Sequence, residues 1–181
     1  MLDFPLHTLD SAPDGSRAIL AETTKNCGTL PNLLRTLAES PAALEGFERL
    51  RDAFARSSLT PLEQQVVYLT VSQTNVCHYC TTQISIFDDS EMAKIAAAAI
   101  RDERPIPDRR LQALRRFATT MTVERGWVSD GTVAALIDAG FTRENILDII
   151  TGIALVTMSS YTNHIAATPI ETDMERQRRD G

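Results

Sequence analysis

The sequence has no excess of positive charge, no long apolar run, few cysteines and no sustained alternation of polar and apolar residues. Its 181 residues carry 18 Lys and Arg against 24 Asp and Glu, a formal charge of −6. Neutralising phosphates requires a basic face, so a general nucleic-acid binder is excluded. The longest strongly apolar stretch, Ile149 to Met158, is about half a bilayer span, so no membrane partner is expected. The opening residues MLDFPLHTLD have neither a basic segment nor an apolar core. No secretory leader is read there, and a cytoplasmic location is expected. Three cysteines, Cys27, Cys77 and Cys80, are too few and too odd in number for a disulfide framework. Without period-two alternation there is no strand to predict.

What is present is helical. Hydrophobic residues make up 43% and charged residues 23%, the balance of a globular chain whose length suits one domain. Gly28, Gly126 and Gly140 punctuate periodic segments, and Pro31, Pro41 and Pro61 open others. Helices are predicted over 16–27, 31–39, from Pro41, from Pro61, over 76–87, from Ser90, over 108–125, over 129–139 and from Thr142 to about Ala167. Thr60-Pro61-Leu62-Glu63 reads as a capping box with proline at the first helical position. The chain divides into an N-terminal segment with its first helix (1–27), a main domain (28–170) and a charged tail (171–181).

Cys77-His78-Tyr79-Cys80 is the strongest chemical signal. Side chains at i and i+3 share a helical face, so the two sulfurs can close a small disulfide ring. Near a helix N-terminus, backbone N–H groups favour thiolate, the nucleophile toward a peroxide or a disulfide. Two buried structural cysteines are the plain alternative. A zinc site is a third, but it needs two further ligands, and only Cys27, His78 and His164 are left to supply them. No metal and no cofactor is expected.

The surroundings of this pair carry a resemblance. Leu59-Thr60-Pro61 leads through Val71-Ser72-Gln73-Thr74-Asn75 to the cysteines. Gly28-Thr29-Leu30-Pro31-Asn32-Leu33, Ser40-Pro41-Ala42-Ala43-Leu44-Glu45-Gly46, Gly126-Trp127-Val128-Ser129-Asp130 and Tyr161 to Pro169 follow in register. Together these resemble the carboxymuconolactone decarboxylase-like family, in its alkyl hydroperoxidase D-like (AhpD-like), peroxidase-related branch. The resemblance implies an all-α, single-domain AhpD-like helical bundle and a homo-oligomer: a trimer, a hexamer or a dimer. It implies a cofactor-free thiol oxidoreductase acting on a hydroperoxide or other small molecule, with an external thiol or disulfide reductant. It also assigns attack to Cys80 and resolution to Cys77.

In that family a Glu twelve residues before the first Cys and a His four residues after the second relay a proton. Here Gln65 and Ile84 stand at those positions. Gln65 orients a hydrogen bond but accepts no proton, and Ile84 does neither. The alternative implied is a redox-inactive member, a small-molecule binding or scaffold protein. Decarboxylation of a lactone is a third reading, set aside because that branch typically lacks the cysteine pair.

Other bases are Glu63, better explained as the capping-box acid; His78, read as a surface or interface histidine; and His164, which is either an auxiliary catalytic group or a hydrogen-bonded core residue. Arg109, Arg110, Arg115 and Arg116 read as a solvated helix face, with anion binding the lesser alternative; Trp127 reads as a packing anchor rather than a substrate platform, and Cys27 as a small buried apolar residue. Ser159, Ser160 and Tyr161 lack a nucleophile elbow and make no hydrolase triad.

Overall fold

The computed structural model describes residues 3–82 and 88–171, apart from the side chain of Cys27. Ile84, the second half of the helix predicted over 76–87, the burial of Cys27 and most of the charged tail therefore lie outside the described residues. Among the described residues the chain forms nine α-helices and no strand. None of these helices is long and apolar enough to cross a membrane. The chain divides into two compact units, one of residues 1–49 with 158–181 and one of residues 50–157.

The first unit holds α1 (Asp14–Cys27), α2 (Asn32–Leu37), the start of α3 (Pro41–Ala55) and the end of α9 (Arg143–Ala166). α1 begins two residues before the predicted Ser16, because Pro13 occupies the cap and Asp14 the first turn. Gly28, at φ 71°, closes it as expected. Leu20, Leu33, Leu34, Leu37, Leu44 and Phe47 are buried here. The Ser16 hydroxyl donates to the Ala38 carbonyl at 2.7 Å. Glu171, first residue of the charged tail read from the sequence, is itself buried. Its carboxylate accepts the Asn32 backbone N–H at 3.0 Å, and the Asn32 amide donates to the Pro169 carbonyl. These bonds satisfy the opening turn of α2.

The second unit holds the end of α3, then α4 (Pro61–Thr74), α5 (His78–Thr82), α6 (Glu91–Arg101), α7 (Arg109–Val123), α8 (Asp130–Asp138) and the start of α9. α4 packs against α5, α6 and α7, and α7 also packs against α8. α4 carries a β-branched run that would suit a strand, and its first turn makes it a helix. Thr60 Oγ1 accepts the Glu63 N–H, while Glu63 Oε2 accepts the Thr60 N–H at 2.9 Å. Val66, Val67, Thr70, Val71 and Ser72 are all buried, so α4 is covered on several faces, as a central helix must be. Ser90, Asp108 and Ser129 cap α6, α7 and α8 by accepting N–H bonds from Ala93, Leu111 and Thr132. α9 comes close to this core through Gly152. A Cβ there would fall 2.5 Å from the Phe54 ring and 2.9 Å from Val67.

The arginine reading needs correction. Arg110 Nε donates to Glu63 Oε1 at 2.7 Å, and its Nη1 donates to the Ala139 carbonyl. Its guanidinium also lies 3.7 Å from the Phe141 ring centre. Arg115 Nη1 donates to the carbonyls of Arg104 and Ala99. Neither residue belongs to a merely solvated face. Glu63 is the capping-box acid expected and also half of an ion pair spanning α4 and α7. Trp127, read as a packing anchor, is 87% exposed and packs nothing of consequence in the chain.

Replacing Glu63 by Ala removes the cap and leaves Arg110 without its carboxylate. A fully buried pair broken on one side loses about 3–5 kcal/mol, and the partial exposure of Arg110 reduces that. Urea unfolding of Glu63→Ala is expected to show a loss of about 2 kcal/mol, with Arg110→Met adding little on top.

Candidate functional site

α4 ends in a turn that delivers the first cysteine. The Val76 N–H donates to the Gln73 carbonyl and the Cys77 N–H donates to the Ser72 carbonyl, each at 3.0 Å. This is a Schellman pairing, with Val76 as the left-handed residue at φ 54°. Glycine usually holds that place. A β-branched side chain there is strained, and at 83% exposure it gains no packing in return. The sequence placed a break at Thr74-Asn75 but gave no sign of this conformation.

Cys77 then sits just before α5. Its Sγ accepts the Cys80 N–H at 3.2 Å, as a cap oxygen would, and its carbonyl accepts the Thr81 N–H. Cys77 and Cys80 are joined by a disulfide, with their Cα atoms 5.3 Å apart. Both are 1% exposed. The pairing allowed by their spacing is therefore formed, and in this state neither sulfur is available as a thiolate ligand. Among the described residues no group of three or more His, Cys, Asp or Glu side chains comes together to hold a metal.

Cys77 lines a cavity of about 590 Å³ walled by α4, α5, α6 and α7; Thr70, Gln73, His78, Glu103 and Arg115 share its wall. A second cavity of about 560 Å³ contains Gln65, Lys94, Asp88 and Arg101. Gln73, His78 and Thr81 line both. Gln65 is buried, and its Oε1 accepts the Asp88 N–H at 3.1 Å. The carboxamide thus holds the backbone that leads into α6. Asp88 is half-buried, and its carboxyl lies below its usual range because Ser90 hydrogen-bonds to it.

His78 is exposed, as expected, yet it shares the cavity with Cys77. His164 lies on the part of α9 in the first unit and is exposed, so the reading of a core residue is overturned. Thr70 and Gln73 are cavity residues that sequence reasoning did not single out, and Arg115, read there as part of a solvated helix face, lines the same cavity. Gln73 and Thr70 lie four and seven residues before Cys77 on α4. That helical spacing is the one signal that could have brought them forward.

No family model matches the sequence, and no curated protein matches it. Solved structures do match in fold. The chain has the all-helical AhpD-like fold. A peroxidase-related protein from Ralstonia eutropha JMP134, described as having an alkylhydroperoxidase AhpD core, matches with TM-score 0.78 and 24% identity. That match covers 97% of this chain and 95% of the other. A peroxidase-related protein from Silicibacter sp. TM1040 gives TM-score 0.76 at 22% identity, over 98% and 95% of the two chains. A cysteine-to-alanine variant of the debrominase Bmp8, in complex with 2,3,4-tribromopyrrole, gives TM-score 0.74 at 18% identity, over 99% and 96%.

The strain at Val76 is testable. Asparagine tolerates the left-handed region better than any β-branched residue, and there is little packing to lose. Val76→Asn is expected to stabilise the disulfide form by about 1 kcal/mol in thermal unfolding. A lower melting temperature would show that the valine side chain has a role beyond this turn.

Proposed function

We propose that the protein is a cofactor-free thiol oxidoreductase that reduces an organic hydroperoxide with Cys77 and Cys80. The observation that carries this reading is the disulfide between two cysteines, one of which lines a cavity. In the reduced protein one thiolate attacks a peroxide oxygen. An S–O bond forms, the O–O bond breaks, and the alcohol leaves with a proton. The second thiol attacks that sulfur, the disulfide closes and water departs. The balance is one hydroperoxide and two thiols giving one alcohol, one water and one disulfide. An external thiol reductant reverses the disulfide by exchange.

The family resemblance gives first attack to Cys80. Two features support the opposite order. Cys77 lines the cavity, and its sulfur receives the Cys80 N–H, a bond that favours its thiolate. His78, in the same cavity wall, is the proton acceptor we assign in place of the absent relay Glu. His164 remains a proposed auxiliary group. A second reading, a redox-inactive binding protein, is favoured by the Gln65 carboxamide, which is engaged in holding the Asp88 backbone.

Treating the reduced protein with one equivalent of cumene hydroperoxide is expected to remove two hydrogens from the peptide carrying Cys77 and Cys80. The Cys80→Ser variant is expected to form a sulfenic acid faster than Cys77→Ser; the reverse ranking restores the order the resemblance implies. General-base help is worth about 10²–10⁴ in rate, so Gln65→Glu combined with Ile84→His is expected to speed oxidation by about tenfold or more. Thiols that stay free at both positions leave the binding reading in its place.

We also propose that copies of the chain associate. α9 exposes Leu147 at 66% in the second unit, and Tyr161 at 64% and Ile165 at 62% in the first, more large apolar surface than one helix ordinarily leaves in water. Light scattering is expected to give a mass of two or more chains, reduced by Tyr161→Glu with Ile165→Glu. A monomer mass for the parent protein removes the proposal.

A further inference from the structure

We infer that the cavity beside Cys77 binds a small organic carboxylate through Arg115, and hence, given the redox reading above, that the hydroperoxide substrate is itself an acid. Arg115 lies on α7, is half-buried and lines the cavity with Cys77, Thr70 and Gln73. Its Nη1 is held by two main-chain carbonyls, that of Ala99 in the last turn of α6 and that of Arg104 just beyond it. That anchorage fixes the plane of the guanidinium. The remaining donors on Nε and Nη2 have no protein acceptor among the described residues.

The charge on Arg115 is also under-compensated. Its acidic neighbour in the cavity wall, Glu103, interacts with it through space, with no ion pair between the two among the described residues. Partial burial pushes the guanidinium down from its ordinary value, and Glu103 acts against that shift. Arginine keeps its proton at any physiological pH, so the burial signals a cation short of solvent and of a counter-ion. A carboxylate meets an oriented guanidinium with two parallel hydrogen bonds.

Thr70 adds an independent sign of a missing polar partner. It is 2% exposed, and its buried hydroxyl has no hydrogen-bond partner among the described residues. Buried hydroxyls are ordinarily satisfied, so an unpaired one in a cavity wall points to a ligand or an ordered water. The volume of about 590 Å³ is within the range of small-molecule sites and holds a substituted benzoate comfortably. Cys77 in the same wall brings the redox pair to whatever Arg115 holds.

The test separates binding from chemistry. The disulfide form is titrated calorimetrically with para-isopropylbenzoate and with its neutral isostere, para-isopropylbenzamide. The acid is expected to bind at least about tenfold more tightly, the value of one charge-assisted hydrogen bond. Arg115→Met is expected to abolish that preference, and Arg115→Lys to retain part of it. Glu103→Gln removes the competing negative charge from an exposed position, so the acid should bind about two- to fivefold more tightly. Equal binding of acid and amide overturns the proposal, as does a preference that survives in folded Arg115→Met. If Arg115→Met does not fold, the Glu103→Gln result decides, and an unchanged affinity counts against it.

A kinetic arm then compares para-carboxycumene hydroperoxide with cumene hydroperoxide on the reduced protein. A rate ratio above about ten in the parent that falls toward one in Arg115→Lys supports the acidic substrate. A ratio near one in the parent overturns it. Failure of both peroxides to oxidise the dithiol defeats the redox reading, while the calorimetry still decides the carboxylate site.

Discussion

A single buried carboxylate organises the second unit. Glu63 is 5% exposed, and its two oxygens face different elements. One closes the first turn of α4 on the Thr60 N–H; the other meets Arg110 on α7. A charge taken out of water in this way must be paired and hydrogen-bonded, and both requirements are met. Arg110 in turn reaches the carbonyl that ends α8 and stacks on Phe141. The starting point of α4 and its rotation against α7 are thereby fixed together. Everything that lines the two cavities from α4, including Gln65, Thr70 and Gln73, takes its orientation from that beginning.

The other end of α4 is governed by backbone geometry. A left-handed residue after the helix redirects the chain within two positions, and the Cys77 N–H is satisfied by Ser72 as the chain turns. Cys77 is therefore placed by α4 before α5 exists. The five residues of α5 contribute the second sulfur and the N–H that faces the first. The disulfide here depends on a long helix that positions and a short one that only has to curl.

Much of this was legible in the sequence. The capping box at Thr60 and Glu63, the caps at Ser90, Asp108 and Ser129 and the stop at Gly28 are local, encoded within four residues, and they place the helices. The cysteine spacing anticipated its disulfide for the same reason. What escaped was long-range. Arg110 reaches Glu63 across 47 positions, and nothing in the periodicity of α7 separates it from a solvated arginine. Arg115 depends on two carbonyls at and just beyond the end of another helix, a partner that has no residue-type signature. Trp127 was misread because a large aromatic is expected to bury itself, and only coordinates show that it does not. The role of Gln65 was read from what it lacks, whereas the structure adds what it does, which is to hold the Asp88 backbone.

The wall shared by the two cavities ties their contents together. Gln73, His78 and Thr81 line both, so a rotamer that opens room on one side withdraws it from the other. Two ligands that both displaced those side chains would not bind independently. Whatever factor the first imposes on the second, the second imposes on the first. A molecule resting beside Gln65 would then change what binds beside Cys77 without touching either sulfur.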